Sequence, residues 1–516
     1  MIRSFLTVSS GTLVSRLLGF LRDSMIAALL GTGAVADAFL VAFQLVNVAR
    51  RLLSEGALNA ALVPAWLRLH ETDRMAAAAF AGRVLGTISA ALIATTVLMG
   101  ILMPLIIAAL APGFAGRETL RLAVDDARLM LPYLAFAGPS TVLLALASAQ
   151  GRFLLTAFSP LLFNTALIAA MVALVGAHRD AGFIALALAA TVGIAGLLQL
   201  SILALRRGEA IATPLRVSFD AEMRGFLRRA IPGMVASSAP QLLIVAGAII
   251  ASSSPSAVSW LYFASRLIEL PLGIVGVAMS TVLIPELTRA LHGDDRKAIR
   301  NAESRALELA MGLALPAMLG LIALSEPIVR LLFEHGAFTA ADARSTSRAL
   351  ILLALGLPAH VLVKALSPAF FAREDTYAPL IAALAALVAA VVLAALLGHF
   401  LGASGVAAGI TCGAWSNAAS LIRQGSTSFG FSLDAAARER LPRITTAAAL
   451  MGALLWLAAG FTVGAGLHGL AQATILLGLI AAAIAAYGGL LALFGVIGWR
   501  EAVNALGRGK TGDLHP

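Results

Sequence analysis

Residues 379–397 read PLIAALAALVAAVVLAALL, a run that contains no charged side chain. A helix needs about 20 mostly apolar residues to cross a hydrocarbon core roughly 30 Å thick, so this stretch is long enough to span a bilayer. Similar blocks recur along the chain between polar, Gly- or Pro-marked breaks. We place about fourteen spans, near residues 5–30, 35–67, 76–110, 120–149, 156–177, 181–205, 228–252, 257–287, 303–333, 346–371, 378–399, 403–423, 444–465 and 470–497. The sequence predicts an all-α polytopic membrane protein, and its continuous apolar runs disfavour a β-barrel.

The composition indicates the same class. Of 516 residues, 60% are hydrophobic and 12% are charged, whereas soluble proteins carry roughly 25% charged residues. So large an apolar excess excludes a soluble enzyme, a disordered scaffold and a disulfide-stapled secreted domain. The single cysteine, Cys412, can form neither an internal disulfide nor a cysteine-based metal site.

The positive charges are unevenly distributed. All but three of the 37 basic residues are arginines, and the formal net charge is +10. They stand singly or in pairs between apolar runs, which does not suit a nucleic-acid surface. Alternate loops are arginine-rich, so by the positive-inside rule these loops and both termini face the cytoplasm. The rich loops contain Arg206, Arg207, Arg216, Arg224, Arg228 and Arg229; Arg289, Arg296, Lys297, Arg300 and Arg305; and Arg423, Arg438, Arg440 and Arg443.

An internal repeat relates two halves of the chain at offsets of 221–226 residues. Its anchors pair Leu62-Val63-Pro64 with Leu283-Ile284-Pro285, Pro104 with Pro327, Gly113 with Gly336, and Pro132 with Pro358. The repeat unit holds six spans, which predicts parallel repeats with a substrate site between them near the midplane. We place an N-lobe at 1–215, a C-lobe at 216–424, a cytoplasmic linker at 425–443, two extra spans at 444–498 and a cytoplasmic tail at 499–516. A duplication without a transport role is the alternative.

A group of charged residues falls inside the predicted spans. An ionised side chain at the bilayer centre costs about 2.5–3.5 kcal/mol, so each must face a watery cavity or a partner. Salt bridges that only hold the bundle together would explain Asp23, Glu55 and Glu269. The surplus of arginine instead predicts a cavity for an anion, because guanidinium presents a planar fork to phosphate or carboxylate oxygens. We assign substrate binding to Arg16, Arg22, Arg50 and Arg266, and cavity lining or gating to Asp23, Asp37, Arg51, Glu55, Glu269 and Lys364.

No catalytic or cofactor-binding motif is visible in the sequence. None of the eight histidines forms an H-E-x-x-H pair, and Gly509-Lys510-Thr511 lacks the upstream glycine and strand of a P-loop. We therefore expect a transporter that uses no cofactor or metal and draws on a gradient or the membrane potential. Gly405, Gly409 and Gly413 form a small-xxx-small stripe, which predicts a close helix contact.

Several motifs resemble the MurJ (MviN) family of lipid II flippases. They are Ser15-Arg16-Leu17-Leu18-Gly19-Phe20-Leu21-Arg22-Asp23; Asp37-Ala38-Phe39; Asn47 through Arg50-Arg51; Glu55-Gly56-Ala57; Gln150-Gly151-Arg152-Phe153; Ser259-Trp260-Leu261-Tyr262-Phe263-Ala264-Ser265-Arg266-Leu267-Ile268-Glu269-Leu270-Pro271; and Leu332 through Thr339. The matches run from the first predicted span to the twelfth and cover most of the chain.

This resemblance implies the multidrug/oligosaccharidyl-lipid/polysaccharide (MOP) exporter superfamily, with two six-helix lobes around a central cationic cavity. Two C-terminal helices would form a groove for an isoprenoid tail. The family moves lipid II, an undecaprenyl diphosphate carrying a disaccharide-pentapeptide, between the leaflets of the bacterial inner membrane. By resemblance, Arg16, Arg22, Arg50 and Arg266 would bind its diphosphate or peptide carboxylates. Lipid II, membrane lipids and cell-wall synthesis and division proteins are the expected partners of a monomer, and nucleic acid is not.

The chain also departs from the family pattern. Ser265 stands where members often have an acid, and the spans at 231–251 and 379–397 contain none, so sodium coupling is not predicted. Membrane potential and protons stay open as drivers. The rivals are an O-antigen-lipid flippase, a drug antiporter with an acidic cavity, a membrane enzyme acting on lipid-linked sugars, and a non-transporting scaffold in which the buried arginines would be dispensable.

Overall fold

The computed structural model describes the chain except for residues 1, 55–56, 177–178, 206–214, 237–238, 280–295, 372, 374, 376, 464–468 and 497–516. The described residues form α-helices, one short 3-10 turn at Pro112–Phe114 and connecting loops, and they include no strand. The predicted all-α class is confirmed.

The helices follow one another through short connections. The first ten are α1 (Ile2–Leu30), α2 (Ala34–Ser54), α3 (Ala57–Thr72), α4 (Arg74–Leu110), α5 (Glu118–Met130), α6 (Pro132–Ala149), α7 (Phe153–Val175), α8 (Ala181–Leu205), α9 (Ala221–Ala236) and α10 (Ala239–Ala251). The next are α11 (Ala257–Ala278), α12 (Arg296–Ala323), α13 (Ser325–Phe333), α14 (Ala340–Ala354), α15 (Leu357–Phe371), α16 (Tyr377–Leu401), α17 (Ala403–Ser428), α18 (Ala435–Val463) and α19 (Leu470–Leu493).

Nine helical segments of the described chain are long and apolar enough to cross a membrane. They are Arg74–Leu110, Glu118–Ala149, Ala181–Leu205, Ala257–Gly276, Lys297–Ala323, Ala340–Phe371, Tyr377–Leu401, Ala435–Gly460 and Leu470–Leu493. Each overlaps one predicted span, and helices also occupy the other five predicted positions. The polytopic character is confirmed, whereas the count of fourteen stays a prediction.

Two of these segments are broken at equivalent places of the predicted repeat. Pro132 begins α6 directly after α5, and Pro358 is the second residue of α15 after α14. Proline interrupts a helix because it lacks an N–H group and its ring crowds the preceding turn, yet it fits the first turn of a new helix. Pro104, in contrast, lies inside the continuous helix α4.

The described chain divides into two compact units. The first unit comprises residues 1–262 and 333–342, and the second comprises 263–332 and 343–516. The predicted lobes at 1–215 and 216–424 are defined by sequence repetition and stay a prediction. The core of the first unit joins α3, α4, α6 and α9 through large buried side chains that include Trp66, Phe80, Leu143 and Phe226.

Polar contacts tie the start of α9 to α4 within the first unit. Arg83 of α4 forms ion pairs with Glu222 and, at 3.4 Å, with Asp220. The Ser218 N–H donates to the Thr87 hydroxyl over 3.1 Å. These contacts hold residues 218–222, at the start of α9, on the surface of α4.

Asp220 caps the N-terminus of α9. Its carboxylate accepts hydrogen bonds from the Met223 N–H and the Ser218 hydroxyl, each over 2.8 Å. Because these bonds favour the charged form, they hold the pKa of Asp220 below its usual range, and the nearby Arg83 acts in the same direction.

The second unit contains the predicted glycine stripe on α17. A methyl group at Gly405 would lie 2.1 Å from the Leu397 carbonyl oxygen of α16, and one at Gly409 would lie 2.3 Å from the Ala394 nitrogen. Gly413 faces α16 similarly closely. The predicted close helix contact is confirmed, since no larger residue fits without moving a backbone.

Helices α12, α18 and α19 pack together in the same unit. Leu315, Ile444 and Leu491 are buried at their contact. The Tyr487 hydroxyl donates to the Gly312 carbonyl oxygen over 2.8 Å. The two C-terminal helices, which fall outside the predicted repeat, are therefore packed against α12.

Candidate functional site

A buried polar cluster of the first unit surrounds Arg22 of α1. The guanidinium donates from Nε and Nη2 to Asp23 Oδ1 over 2.9 and 2.6 Å, and from Nη1 to Asn164 Oδ1 over 2.8 Å. It also lies over the rings of Phe43 and Phe163, with its central carbon 5.1 and 5.9 Å from their centroids. Arg22 is thus held by α1, α2 and α7 together.

The partners of Arg22 are themselves fixed. The Asn164 amide donates to the Ser15 carbonyl oxygen over 3.2 Å, and the Tyr262 hydroxyl donates to Asp23 Oδ1 over 3.2 Å. Arg22 and Asp23 are both buried. A buried pair is stable only when further hydrogen bonds satisfy its remaining polar atoms, and this cluster supplies them.

Arg50 of α2 also belongs to the first unit. It is half-buried near the end of α2, and both Arg50 and Arg22 lie within electrostatic range of the buried phenol of Tyr133. The Tyr133 ring is 5.1 Å from that of Phe163. Arg16, one predicted ligand, has an exposed side chain on α1. The structure therefore places Arg22 and Arg50 within electrostatic range of the same buried phenol.

The second unit holds two other predicted cations, Arg266 and Lys364. Arg266 forms an ion pair with Glu269 at 2.8 Å, one helical turn along α11. The exposed Lys364 of α15 has its ammonium nitrogen 3.6 Å from the point that a methyl group on Gly276 would occupy. The predicted neighbour relation of Arg266 and Glu269 is confirmed, and their part in substrate binding stays a prediction.

Asp37 has a role that the sequence did not suggest. Its buried carboxylate accepts the Ser256 N–H and the Ser259 N–H, each over 2.9 Å, and also the Ser259 hydroxyl. Ser256 directly precedes α11 and Ser259 lies in its first turn, where the leading N–H groups have no partner within the helix. Asp37 is therefore a capping residue supplied by a helix more than 200 positions away.

A second acid was missed by the sequence analysis. Asp342 accepts hydrogen bonds from the Thr32 hydroxyl at 2.6 Å, the Trp260 indole at 3.2 Å and the Thr339 N–H at 2.9 Å. It thereby joins the α1–α2 corner, α11 and the start of α14 within the first unit. Its only sequence signal is its position three residues after Thr339, at the start of a helix.

Two glycines allow this corner to close. Gly31 and Gly336 both have positive φ, +62° and +58°. A methyl group at Gly336 would lie 2.3 Å from the Ala28 carbonyl oxygen, which accepts the Ala337 N–H over 2.8 Å. Only glycine combines this backbone conformation with so close an approach.

Two predicted residues cannot be placed in the site. Glu55 is outside the described residues, and the side chain of Arg51 is not described, so both assignments stay predictions. In the described part of the chain, no three His, Cys, Asp or Glu side chains are grouped so that they could hold a metal ion.

Comparison with known proteins decides the family. The family described as "Lipid II flippase MurJ" matches residues 26–477. A relative from Rhizobium meliloti, named "Probable lipid II flippase MurJ", is 38% identical over 501 residues, which cover 94% of this chain and 92% of the relative. The chain belongs to the MurJ family. Another relative, the "Lipid II flippase MurJ" of Burkholderia cenocepacia, is 33% identical and covers 74% of this chain and 75% of its own.

Solved structures show that this chain shares the fold of MurJ. A solved lipid II flippase MurJ in an inward closed conformation superposes on this chain with a TM-score of 0.79 at 23% sequence identity. The match covers 96% of this chain and 100% of the solved chain. An inward-facing MATE transporter of the MOP superfamily gives a TM-score of 0.66 at 16% sequence identity, and the match covers 86% of this chain and 99% of the transporter. The MurJ family comprises transporters, so the prediction that this chain is not an enzyme is confirmed.

Proposed function

We propose that this chain moves lipid II from the inner to the outer leaflet of the bacterial inner membrane by alternating access. The observation that carries the proposal is the MurJ family match across residues 26–477, nearly the whole apolar chain. The termini would lie in the cytoplasm, and the chain would act as a monomer beside the cell-wall synthesis and division proteins. An O-antigen-lipid flippase or a drug antiporter is not favoured by these matches.

The physical problem of this transport is the charge of the headgroup. Moving a diphosphate through hydrocarbon requires far more free energy than moving a neutral group, because an unpaired buried charge loses its hydration. A guanidinium can replace that hydration with two parallel hydrogen bonds to phosphate oxygens. We assign this role to Arg22 and Arg50 in the first unit, with Arg16 at an exposed position on the same helix as Arg22.

The Arg22 cluster is suited to reversible binding. Three of the five guanidinium N–H groups donate to Asp23 and Asn164, which leaves donor capacity for an anion. Asp23 neutralises the arginine while no substrate is bound, so the cost of burial is reduced. Arg266, paired with Glu269, is assigned the same chemistry in the second unit.

Comparing a single variant with a double variant separates the structural role of Arg22 from its role in transport. Arg22→Met alone leaves Asp23 buried without its cation and should cost about 3–5 kcal/mol, whereas Arg22→Met with Asp23→Leu removes both charges and should recover most of that loss. Each variant is produced in cells depleted of their own flippase. Thermal stability, membrane level and lipid II exposed on the outer face are measured.

We expect the double variant to be stable but inactive, because the anion ligand is gone. The control is Arg121→Ala, which removes an exposed arginine whose side chain is 79% exposed and should leave transport unchanged. Arg50→Ala and Arg266→Ala should also lose transport at normal membrane levels. If the double variant, Arg50→Ala and Arg266→Ala all export lipid II at the normal rate, the arginines do not bind the headgroup.

A further inference from the structure

Asp126 of α5 is a buried acid that the site described above does not use. It lies eight residues after the start of the candidate membrane span Glu118–Ala149, which places it about 12 Å along the helix at a rise of 1.5 Å per residue. The residue is 2% exposed. In the part of the chain that the structure describes, its carboxyl group takes part in no hydrogen bond and no ion pair.

The helix face that carries Asp126 is otherwise apolar. Ala123 and Met130 stand one turn before and after it and are fully buried, and the adjacent Ala127 is buried as well. Helix α5 packs against α2, α8 and α4 in the first unit. The exposed position beside it is Asp125, whose carboxylate lies 3.8 Å from Arg121 and is 46% exposed. The two adjacent acids thus have opposite surroundings.

Among the side chains that the structure describes on the packed elements, no charged or titratable group is a partner of Asp126. Helix α8 carries none, and the Arg83 of α4 is paired with Asp220 and Glu222. The Asp37 carboxylate is bound to the first turn of α11. The full set is Asp37, Arg50 and Arg51 on α2; Arg74 and Arg83 on α4; Glu118, Arg121, Asp125 and Arg128 on α5; and Tyr133 on α6.

These apolar surroundings determine the protonation state of the Asp126 side chain. Burying an ionised carboxylate among apolar side chains costs several kcal/mol even with some relaxation, and a buried acid without a partner avoids that cost by keeping its proton. The closed packing around Asp126 therefore accommodates the neutral acid. Any movement that opens this packing to water makes ionisation favourable.

We propose that Asp126 is a proton-binding site, occupied while α5 is packed against α2 and α8 and emptied when that packing opens to water. The proton is transferred to and from water, with the carboxyl oxygen as the only protein atom that gains or loses it. Proton binding and closure are then linked, because a ligand that binds one conformation shifts the population toward it. The link to transport rests on the proposed lipid II flipping, whereas the site itself does not.

Infrared spectroscopy of the purified full-length chain tests the site directly. A protonated carboxylic acid has its own carbonyl stretching band, which shifts in heavy water. We expect Asp126→Asn to lose one such band and the matched control Asp125→Asn to keep it. Asn has nearly the shape of a protonated Asp, so the variant should fold. As a second check, Asp126→Glu should shift the band without removing it. A band that is the same in wild type and Asp126→Asn overturns the proposal.

Transport in vesicles tests the coupling. The chain is reconstituted with labelled lipid II, and flipping is measured with and without a pH gradient. We expect the gradient to change the rate for wild type and Asp125→Asn but not for Asp126→Asn. An equal response in all three overturns the coupling. Absence of flipping in wild type, with the infrared band present, would refute the proposed function and leave the proton site standing.

Discussion

The contribution of the Asp37 cap to the local stability of α11 can be estimated from its hydrogen bonds. Asp37→Ala removes the acceptor of the buried N–H group of Ser259 and of the partly buried N–H group of Ser256. An orphaned buried donor costs at least about 1 kcal/mol, so the first turn of α11 should lose about 2 kcal/mol or more. Ser256 has a φ of +61°, a region that non-glycine residues rarely adopt, and loses the contact that holds it there.

Amide hydrogen exchange in peptides covering residues 253–262 measures this loss. Since 1.4 kcal/mol corresponds to a factor of ten in an equilibrium constant, about 2 kcal/mol should speed local exchange roughly 30-fold. Asp37→Asn keeps one carbonyl acceptor and should lose about half as much, or roughly 5-fold.

The matched control is Ser253→Ala, which removes an exposed hydroxyl that donates to the Ile250 carbonyl oxygen. It should leave exchange in α11 unchanged. If Asp37→Ala exchanges at the wild-type rate in this segment, Asp37 is not a cap in solution. Equal acceleration by Ser253→Ala would also contradict the cap, because the effect would then be a general loosening of the loop.

Three further predictions concern stability. Gly409→Ala should cost about 1–3 kcal/mol by forcing α16 and α17 apart, whereas Gly478→Ala, which points into open space, should leave the melting temperature unchanged or raise it. Tyr487→Phe removes one hydrogen bond between α19 and α12 and should cost about 1 kcal/mol in thermal unfolding. The stabilisation by the Asp220 cap should be complete at pH values above the usual aspartate pKa. It should be lost as the pH falls through the lowered pKa of Asp220. Exchange at the start of α9, corrected for intrinsic rates, should show this dependence, and Asp220→Asn should remove it.

The sequence predicted the features that arise from local pattern. The run at 379–397 forms part of α16, and Pro132 and Pro358 break helices at equivalent positions. The stripe of Gly405, Gly409 and Gly413 packs closely because a period of four residues places the glycines on one face of α17. Each of these features depends on the local chain alone, so each could be recognised without knowing the fold.

Contacts between distant residues could not be predicted in this way. Asn164 lies 142 positions from Arg22, and Ser259 lies 222 positions from Asp37. Sequence analysis could mark Arg22 and Asp37 as charges that need a partner, because burial of an isolated charge is costly. The partner depends on which helices pack together, and many polar residues along the chain would have satisfied the same need.

The buried acids of the first two helices show why burial alone does not define a substrate ligand. Asp23 and Asp37 are both buried, yet Asp23 neutralises a cation and Asp37 caps a helix. Each has a partner that removes the cost of its charge. Asp126 has no such partner among the described residues, so its cost must be met by a proton. A buried charge in this fold is therefore best classified by what compensates it: a fixed partner indicates a structural contact, whereas compensation by an exchangeable anion or proton indicates a site that can change state during transport.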